Sequence, residues 1–259
     1  MKPECFFETR IGDALVVTLP MLSDNYTFIV LQGEKAIVVD PAEPEPVLQF
    51  LKSRNLALPV VLNTHHHADH IGGNGGLKSA TRCRIMGPKD SRIDTLDFPV
   101  RDEEILQLGS LKFRVIVTPG HTRTHVAYYA PGMVFTGDTL FAAGCGRLLE
   151  GTAGEMWKSL RRLRDLPDNT LVFCGHEYTV ENLRFAQQIE PDNLLIRARL
   201  EEAMRNEAQG RPNVPATIAI EKQTNPFLRA DSESMKAVLD MKKARNEDVF
   251  AELRRRKDL

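Results

Sequence analysis

Residues 64–70 read Thr-His-His-His-Ala-Asp-His, and they restrict the possible folds more than any other stretch of the chain. Imidazole nitrogens and carboxylates at neutral pH are ligands for zinc and similar divalent ions. The pattern H-x-H-x-D-H puts four such groups, His65, His67, Asp69 and His70, into six residues. One tetrahedral ion would struggle to take all four from so short a segment, so the spacing suits two adjacent metals. The apolar run at 59–62 reads as a buried strand leading into the motif. The glycines at 72, 73, 75 and 76 predict a sharply turning loop after it. The motif therefore sits where a rigid strand ends, a common place for chemistry. The competing reading is a surface histidine cluster that binds metal by accident.

The chain has seven histidines, and the others outside the motif are His121, His125 and His176. The apolar run at 115–117 leads through Thr118-Pro119-Gly120 into His121. The run at 171–173 leads through Cys174-Gly175 into His176, and the run at 133–135 through Thr136-Gly137 into Asp138. Strands of one sheet stack, so ligands at matching strand ends can converge. His121 or His176 alone would read as an ordinary polar residue. Together with the first motif they complete a converging set of candidate ligands: His65, His67, Asp69, His70, His121, Asp138 and His176.

With 259 residues, 42% of them apolar and 27% charged, the chain can bury a sizeable core as one large or two modest domains. A formal net charge of −1 provides no global field to recruit nucleic acid. No apolar run approaches the ~20 residues that span a membrane, and charged residues interrupt the N-terminal segment where a signal peptide would need an apolar core. Cys5, Cys83, Cys145 and Cys174 are scattered without C-x-x-C spacing, which argues against a disulfide framework. A reduced, cytoplasmic setting is expected.

The texture changes near residue 178. Before it, β-branched runs at 14–19, 28–31, 36–39, 59–62, 112–117, 126–129, 133–135 and 171–173 predict strands, and helical spacing marks 45–54 and 155–166. After it, 181–189, 194–208, 232–243 and 246–256 are rich in helix formers. The expected organisation is an α/β sandwich over residues 1–178, carrying the metal-binding catalytic residues. A compact helical domain over residues 179–259 follows.

At this point the chain resembles the metallo-β-lactamase superfamily, and within it the hydroxyacylglutathione hydrolases, or glyoxalase II enzymes. The first motif carries the superfamily likeness. The segments Gly144-Cys145-Gly146-Arg147-Leu148-Leu149, Cys174-Gly175-His176-Glu177-Tyr178 and Thr224-Asn225-Pro226-Phe227 carry the narrower one, with Arg254-Arg255-Arg256-Lys257 near the end. The resemblance implies an αββα sandwich with a C-terminal helical domain. It also implies one divalent ion, most often zinc, on His65, His67 and His121. A second would sit on Asp69, His70 and His176, with Asp138 bridging both and iron or manganese as other possibilities. His66 would point away from the metals, and His125 would be a core or supporting residue.

A water shared by two such ions loses a proton near neutral pH. The implied reaction is attack of that hydroxide on the thioester carbonyl of S-D-lactoylglutathione or another 2-hydroxyacylglutathione, with Asp69 and Asp138 as catalytic carboxylates. This is the chemistry of methylglyoxal detoxification. No G-x-S-x-G nucleophile motif competes with it. By the same resemblance Arg147, Tyr178, Arg254 and Lys257 bind glutathione. From sequence alone, Arg254 and Lys257 could simply complement a helix dipole. Leu149 departs from relatives with an aromatic residue there and cannot donate a hydrogen bond. The implied partner is a small glutathione thioester, with no nucleic acid and no membrane, and the protein is expected to be a monomer. The alternatives are a persulfide dioxygenase using one iron, another hydrolase of the same superfamily such as a lactonase or nuclease, and a non-catalytic metal-binding scaffold.

Overall fold

The computed structural model describes residues 6–259. Cys5 lies outside them; Cys83, Cys145 and Cys174 are all buried free thiols. The chain divides into two compact units. One comprises Met1–Val117 with Thr124–Gly137, and the other Thr118–Arg123 with Asp138–Leu259.

The first unit is a layered α/β structure. One sheet has seven strands in sequence order: β1 (Phe7–Ile11), β2 (Ala14–Met21), β3 (Asn25–Gln32), β4 (Lys35–Val39), β5 (Ala57–Leu62), β6 (Arg84–Pro88) and β7 (Phe98–Val100). The first four strands form antiparallel pairs, whereas β4 to β7 run parallel. In a second sheet β8 (Ile105–Leu108), β9 (Leu111–Val117), β10 (Val126–Ala130) and β11 (Met133–Gly137) form an antiparallel meander. The two sheets meet through aromatic residues: the Phe28 ring of β3 lies 5.5 Å from that of Phe135 of β11. The opposite face of the first sheet is covered by α1 (Pro44–Ser53) and α3 (Asn74–Thr81), which bury Val47, Phe50, Leu51 and Leu77 against Val38, Val61 and Ile85.

The parallel arrangement decides where the motif lies. Because β4 and β5 run the same way, Asp40 and Asn63 emerge at one edge of the sheet. There the Asp40 N–H donates to Leu62 O at 3.0 Å, and the Asn63 N–H to Met86 O at 2.8 Å. The carboxyl ends of parallel strands are where α/β folds place ligands.

The structure revises the expectation of a glycine loop after the motif. His67 precedes a short helix, α2 (Ala68–Ile71), and α3 starts at Asn74. Gly72 and Gly73 have right-handed helical backbone angles, so turning is not their task. A Cβ on Gly72 would lie 2.5 Å from Ala42 O, one on Gly73 2.9 Å from Pro41 Cβ, and one on Gly76 2.7 Å from Pro44 Cβ. These glycines let α2 and α3 press against residues 41–44.

The second unit contains two short strand pairs, β12 (Leu140–Phe141) with β13 (Gly144–Cys145) and β14 (Leu171–Cys174) with β15 (Ala216–Thr217). Its helices are α4 (Ala153–Arg164), α5 (Thr179–Ile189), α6 (Leu194–Ala208), α7 (Ile218–Thr224), α8 (Glu233–Val238) and α9 (Asn246–Lys257), with a 3₁₀ turn at Pro226–Leu228. A capping box starts α4: Thr152 Oγ1 accepts from the Glu155 N–H, and Glu155 Oε2 from the Thr152 N–H. The helix expected over 232–243 stops at Val238, because Asp240 takes a left-handed φ of 56°.

Candidate metal centre

The first unit supplies His65, His67, Asp69 and His70, and a buried carboxylate organises them. Asp40 Oδ1 accepts from the Thr64 N–H at 2.7 Å, and Oδ2 accepts from the Thr64 hydroxyl at 2.6 Å. His70 Nδ1 lies 3.0 Å from the same Oδ2. Since the Thr64 hydroxyl donates to Asp40, it is left to accept from His65 Nδ1–H, 3.0 Å away. Both buried rings are thereby held through Nδ1, and Nε2 is the nitrogen each can offer to a metal. His65 Nε2 and His67 Nδ1 approach to 2.9 Å. The Asp69 carboxylate accepts from Asn25 Nδ2 at 2.8 Å and lies 3.5 Å from His70 Nε2.

The second unit supplies His121, Asp138 and His176, all buried. One oxygen, Asp138 Oδ2, lies 3.4 Å from His121 Nε2 and 3.3 Å from His176 Nε2. The Nδ1–H of His121 donates to Arg147 O at 2.9 Å. His176 is stacked on Tyr178, with ring centroids 4.9 Å apart and planes 3° from parallel. Two imidazole nitrogens thus face one carboxylate oxygen, and His121 has its second nitrogen held by an acceptor. This chemistry fits a divalent ion, since metal-bound histidines characteristically donate their other N–H to such a partner.

The other histidines sit differently. His66 Nδ1 lies 3.5 Å from Asp90, whose carboxylate also accepts from Arg92 and from the Thr124 hydroxyl. Hydrogen bonds from Arg92 hold the Asp90 carboxyl well below the usual carboxylate range. His125 is fully buried and stacked on His65, with centroids 4.8 Å apart.

Of the residues expected to bind glutathione, Arg147 and Lys257 keep exposed or partly exposed side chains, and Leu149 is exposed. Lys257 Nζ donates to Glu181 O at 3.2 Å and lies 5.5 Å from the Phe185 ring centroid; burial lowers its pKa. Arg254 is buried. Its Nη1 donates to Cys145 O at 2.9 Å, and its Nε and Nη2 donate to the two oxygens of Asp258 at 3.2 and 2.8 Å. Burial pushes the Cys145 thiol up to about 11 and raises that of Cys174 further, so neither is poised as a thiolate nucleophile.

Sequence reading missed the supporting residues Asp40, Thr64 and Asn25 as parts of the site. Asp40 lies 24 positions before its partner Thr64, and Asn25 lies 44 before Asp69. The sequence signal that was available is Val-Asp-Pro at a strand end, where a short acidic residue tolerates the left-handed φ of 50° found at Asp40.

Residues 20–176 match the family model described as the metallo-beta-lactamase superfamily, and residues 177–259 match that described as the hydroxyacylglutathione hydrolase C-terminus. The chain therefore belongs to the metallo-β-lactamase superfamily, and it has that fold followed by a C-terminal helical domain. Its sequence is 48% identical over 252 residues to the hydroxyacylglutathione hydrolase of Methylococcus capsulatus, covering 94% of this chain and 98% of the relative. It is 45% identical over 250 residues to that of Chromohalobacter salexigens, with the same coverage. Within the superfamily, it belongs to the hydroxyacylglutathione hydrolase family. Among solved structures it is similar to ETHE1 from Myxococcus xanthus, at 28% identity and a TM-score of 0.67, covering 98% of this chain and 92% of the other. It is also similar to TTHA1623 in a di-iron-bound form, at 27% identity and a TM-score of 0.59, covering 81% of this chain and 98% of the other. Among the described residues, no helix is long and apolar enough to cross a membrane.

Proposed function

We propose that this chain hydrolyses S-(2-hydroxyacyl)glutathione thioesters, chiefly S-D-lactoylglutathione to glutathione and D-lactate. The observation that carries this reading is the near-full-length similarity to proteins named hydroxyacylglutathione hydrolase, at 45–48% identity. The proposed division of labour is a catalytic domain over residues 1–178 and a substrate-binding helical domain over 179–259.

His65, His67 and His121 would hold one divalent ion and Asp69, His70 and His176 a second, with Asp138 shared. The di-iron form of a similar protein supports a pair. Zinc is our choice for this chain, since borderline imidazole and carboxylate ligands suit it. When bound, the ions supply Lewis acidity, which lowers the pKa of water and polarises a carbonyl. The chain's own groups do the rest. Asn25 fixes the Asp69 carboxylate, Asp40 and Thr64 fix the rings of His70 and His65, and the Arg147 carbonyl fixes His121. The thiolate leaving group has a parent pKa of about 8.5, so it departs without a dedicated acid. Arg147, Tyr178, Arg254 and Lys257 would bind glutathione. The buried Arg254 would act partly by holding the Cys145 carbonyl. We also propose that the protein works in the cytoplasm as a monomer.

The test is an assay of purified protein on S-D-lactoylglutathione, on a small thioester without glutathione, and for oxygen uptake with glutathione persulfide. Efficient hydrolysis of the first with poor turnover of the second is expected. Oxygen uptake without thioester hydrolysis would replace this reading with a persulfide dioxygenase.

A further inference from the structure

Residues 141–145 connect Asp138 to Arg147, and side chains from the helical part of the same unit hold their main chain. Asn225 Nδ2 donates to Gly144 O at 3.0 Å and to Phe141 O at 3.4 Å. Asn182 Nδ2 donates to Ala142 O at 3.1 Å, and Arg254 Nη1 to Cys145 O at 2.9 Å. The Ala143 N–H donates to Glu221 Oε2 at 2.9 Å. Glu221 is fully buried; the same oxygen accepts from Asn225 Nδ2 at 2.9 Å, and the other accepts from Arg199.

The segment would not adopt this conformation unaided. Ala143 has a φ of 55°, in the left-handed region that side chains with a Cβ avoid. A Cβ on Gly144 would lie 2.3 Å from the Asn182 amide, so only glycine permits the approach.

Each end of the segment bears on a candidate ligand. The Arg147 carbonyl accepts from His121 Nδ1–H. Gly146 packs so closely that a Cβ would lie 1.9 Å from Asp138 O and 3.1 Å from His121 Nδ1. The ring of Phe141, whose carbonyl Asn225 holds, stands edge-on to His176 with centroids 5.9 Å apart. We propose that Glu221 and Asn225 are positioning residues for the metal centre: they clamp residues 141–145 and so fix His121, Asp138 and His176. The proposal rests on reading those three residues as ligands.

The experiment uses full-length protein and zinc alone as the probe. The zinc dissociation constant is measured by chelator competition for wild type, Asn225→Ala, Glu221→Gln and Asn182→Ala, beside kcat, KM and Tm. Asp231→Asn is the control, because Asp231 pairs with Arg164 away from the clamp. Loss of a partner behind a metal ligand typically costs about 10–100-fold in metal affinity or activity. Asn225→Ala and Glu221→Gln should therefore weaken zinc by that factor and lower kcat, with KM little changed. Asn182→Ala, which removes one bond of the clamp, should do so less. Asp231→Asn should lower Tm alone. If the clamp variants lose only Tm, as the control does, the proposal is wrong. If Asn225→Ala does not fold, Glu221→Gln and Asn182→Ala decide the matter, and unchanged zinc affinity in both overturns it. If Asp138→Ala binds zinc as wild type does, the ligand reading itself fails, a different result from failure of the clamp alone.

Discussion

Asp138 and His66 are both buried or nearly so and both lie beside other titratable groups, yet their neighbours differ in kind. One oxygen of Asp138 faces the Nε2 atoms of two histidines, whereas His66 faces the Asp90 carboxylate, which Arg92 and Thr124 already engage. If Asp138 bridges two ions, Asp138→Ala removes a ligand from both at once. It should lower kcat/KM on the order of a thousandfold or more, since metal activation of water would be the main catalytic contribution. His66→Ala should keep its metal content and most of its activity. Steady-state kinetics and metal analysis of the two purified variants check this, and equal losses would refute the ligand assignment.

The helices after the motif show how two adjacent glycines can be under different constraints. A Cβ on Gly75 would meet nothing within 4 Å, whereas one on Gly76 would sit 2.7 Å from two carbons of Pro44. Both lie in α3. Gly75→Ala should therefore stabilise the protein by about 0.4–1 kcal/mol, through helix propensity and a less disordered unfolded chain. Gly76→Ala should destabilise it by about 1–3 kcal/mol, because a rigid proline ring has to move. Chemical denaturation of the two variants measures both signs, and a stabilising Gly76→Ala would disprove the packing role. The same stretch explains part of what was hidden in the sequence. Strands such as β2 to β5 are apolar or β-branched over most of their length and were legible from pattern. Helix α3 begins Asn-Gly-Gly and reads as a turn, because the force that makes it helical is close packing against residues 41–44. Strand β7 is three residues long with a central proline, and β8 alternates around a single buried leucine, so neither carries enough pattern to be seen.

For the protein as a whole, the candidate ligands were legible because histidine and aspartate after a strand announce their own chemistry. Their supports were not, because they are ordinary asparagines, threonines and acidic residues whose partners lie far along the chain, as Asn225 does from Gly144, 81 residues away. If the seven proposed ligands serve one dinuclear centre, metal should stabilise the folded protein and the stoichiometry should exceed one. A ligand that binds only the folded protein contributes about 2.7 kcal/mol at a free concentration of 100 times its dissociation constant. For a chain of this size that corresponds to roughly 5–10 °C in Tm. Dialysis against a strong chelator should therefore lower Tm by about that much and abolish thioester hydrolysis. Adding back zinc, iron or manganese should restore both, with activity rising until two equivalents are bound. Calorimetric titration of the stripped protein, read beside activity, measures the endpoint. Full activity and full thermal recovery at one equivalent would exclude the paired-metal centre.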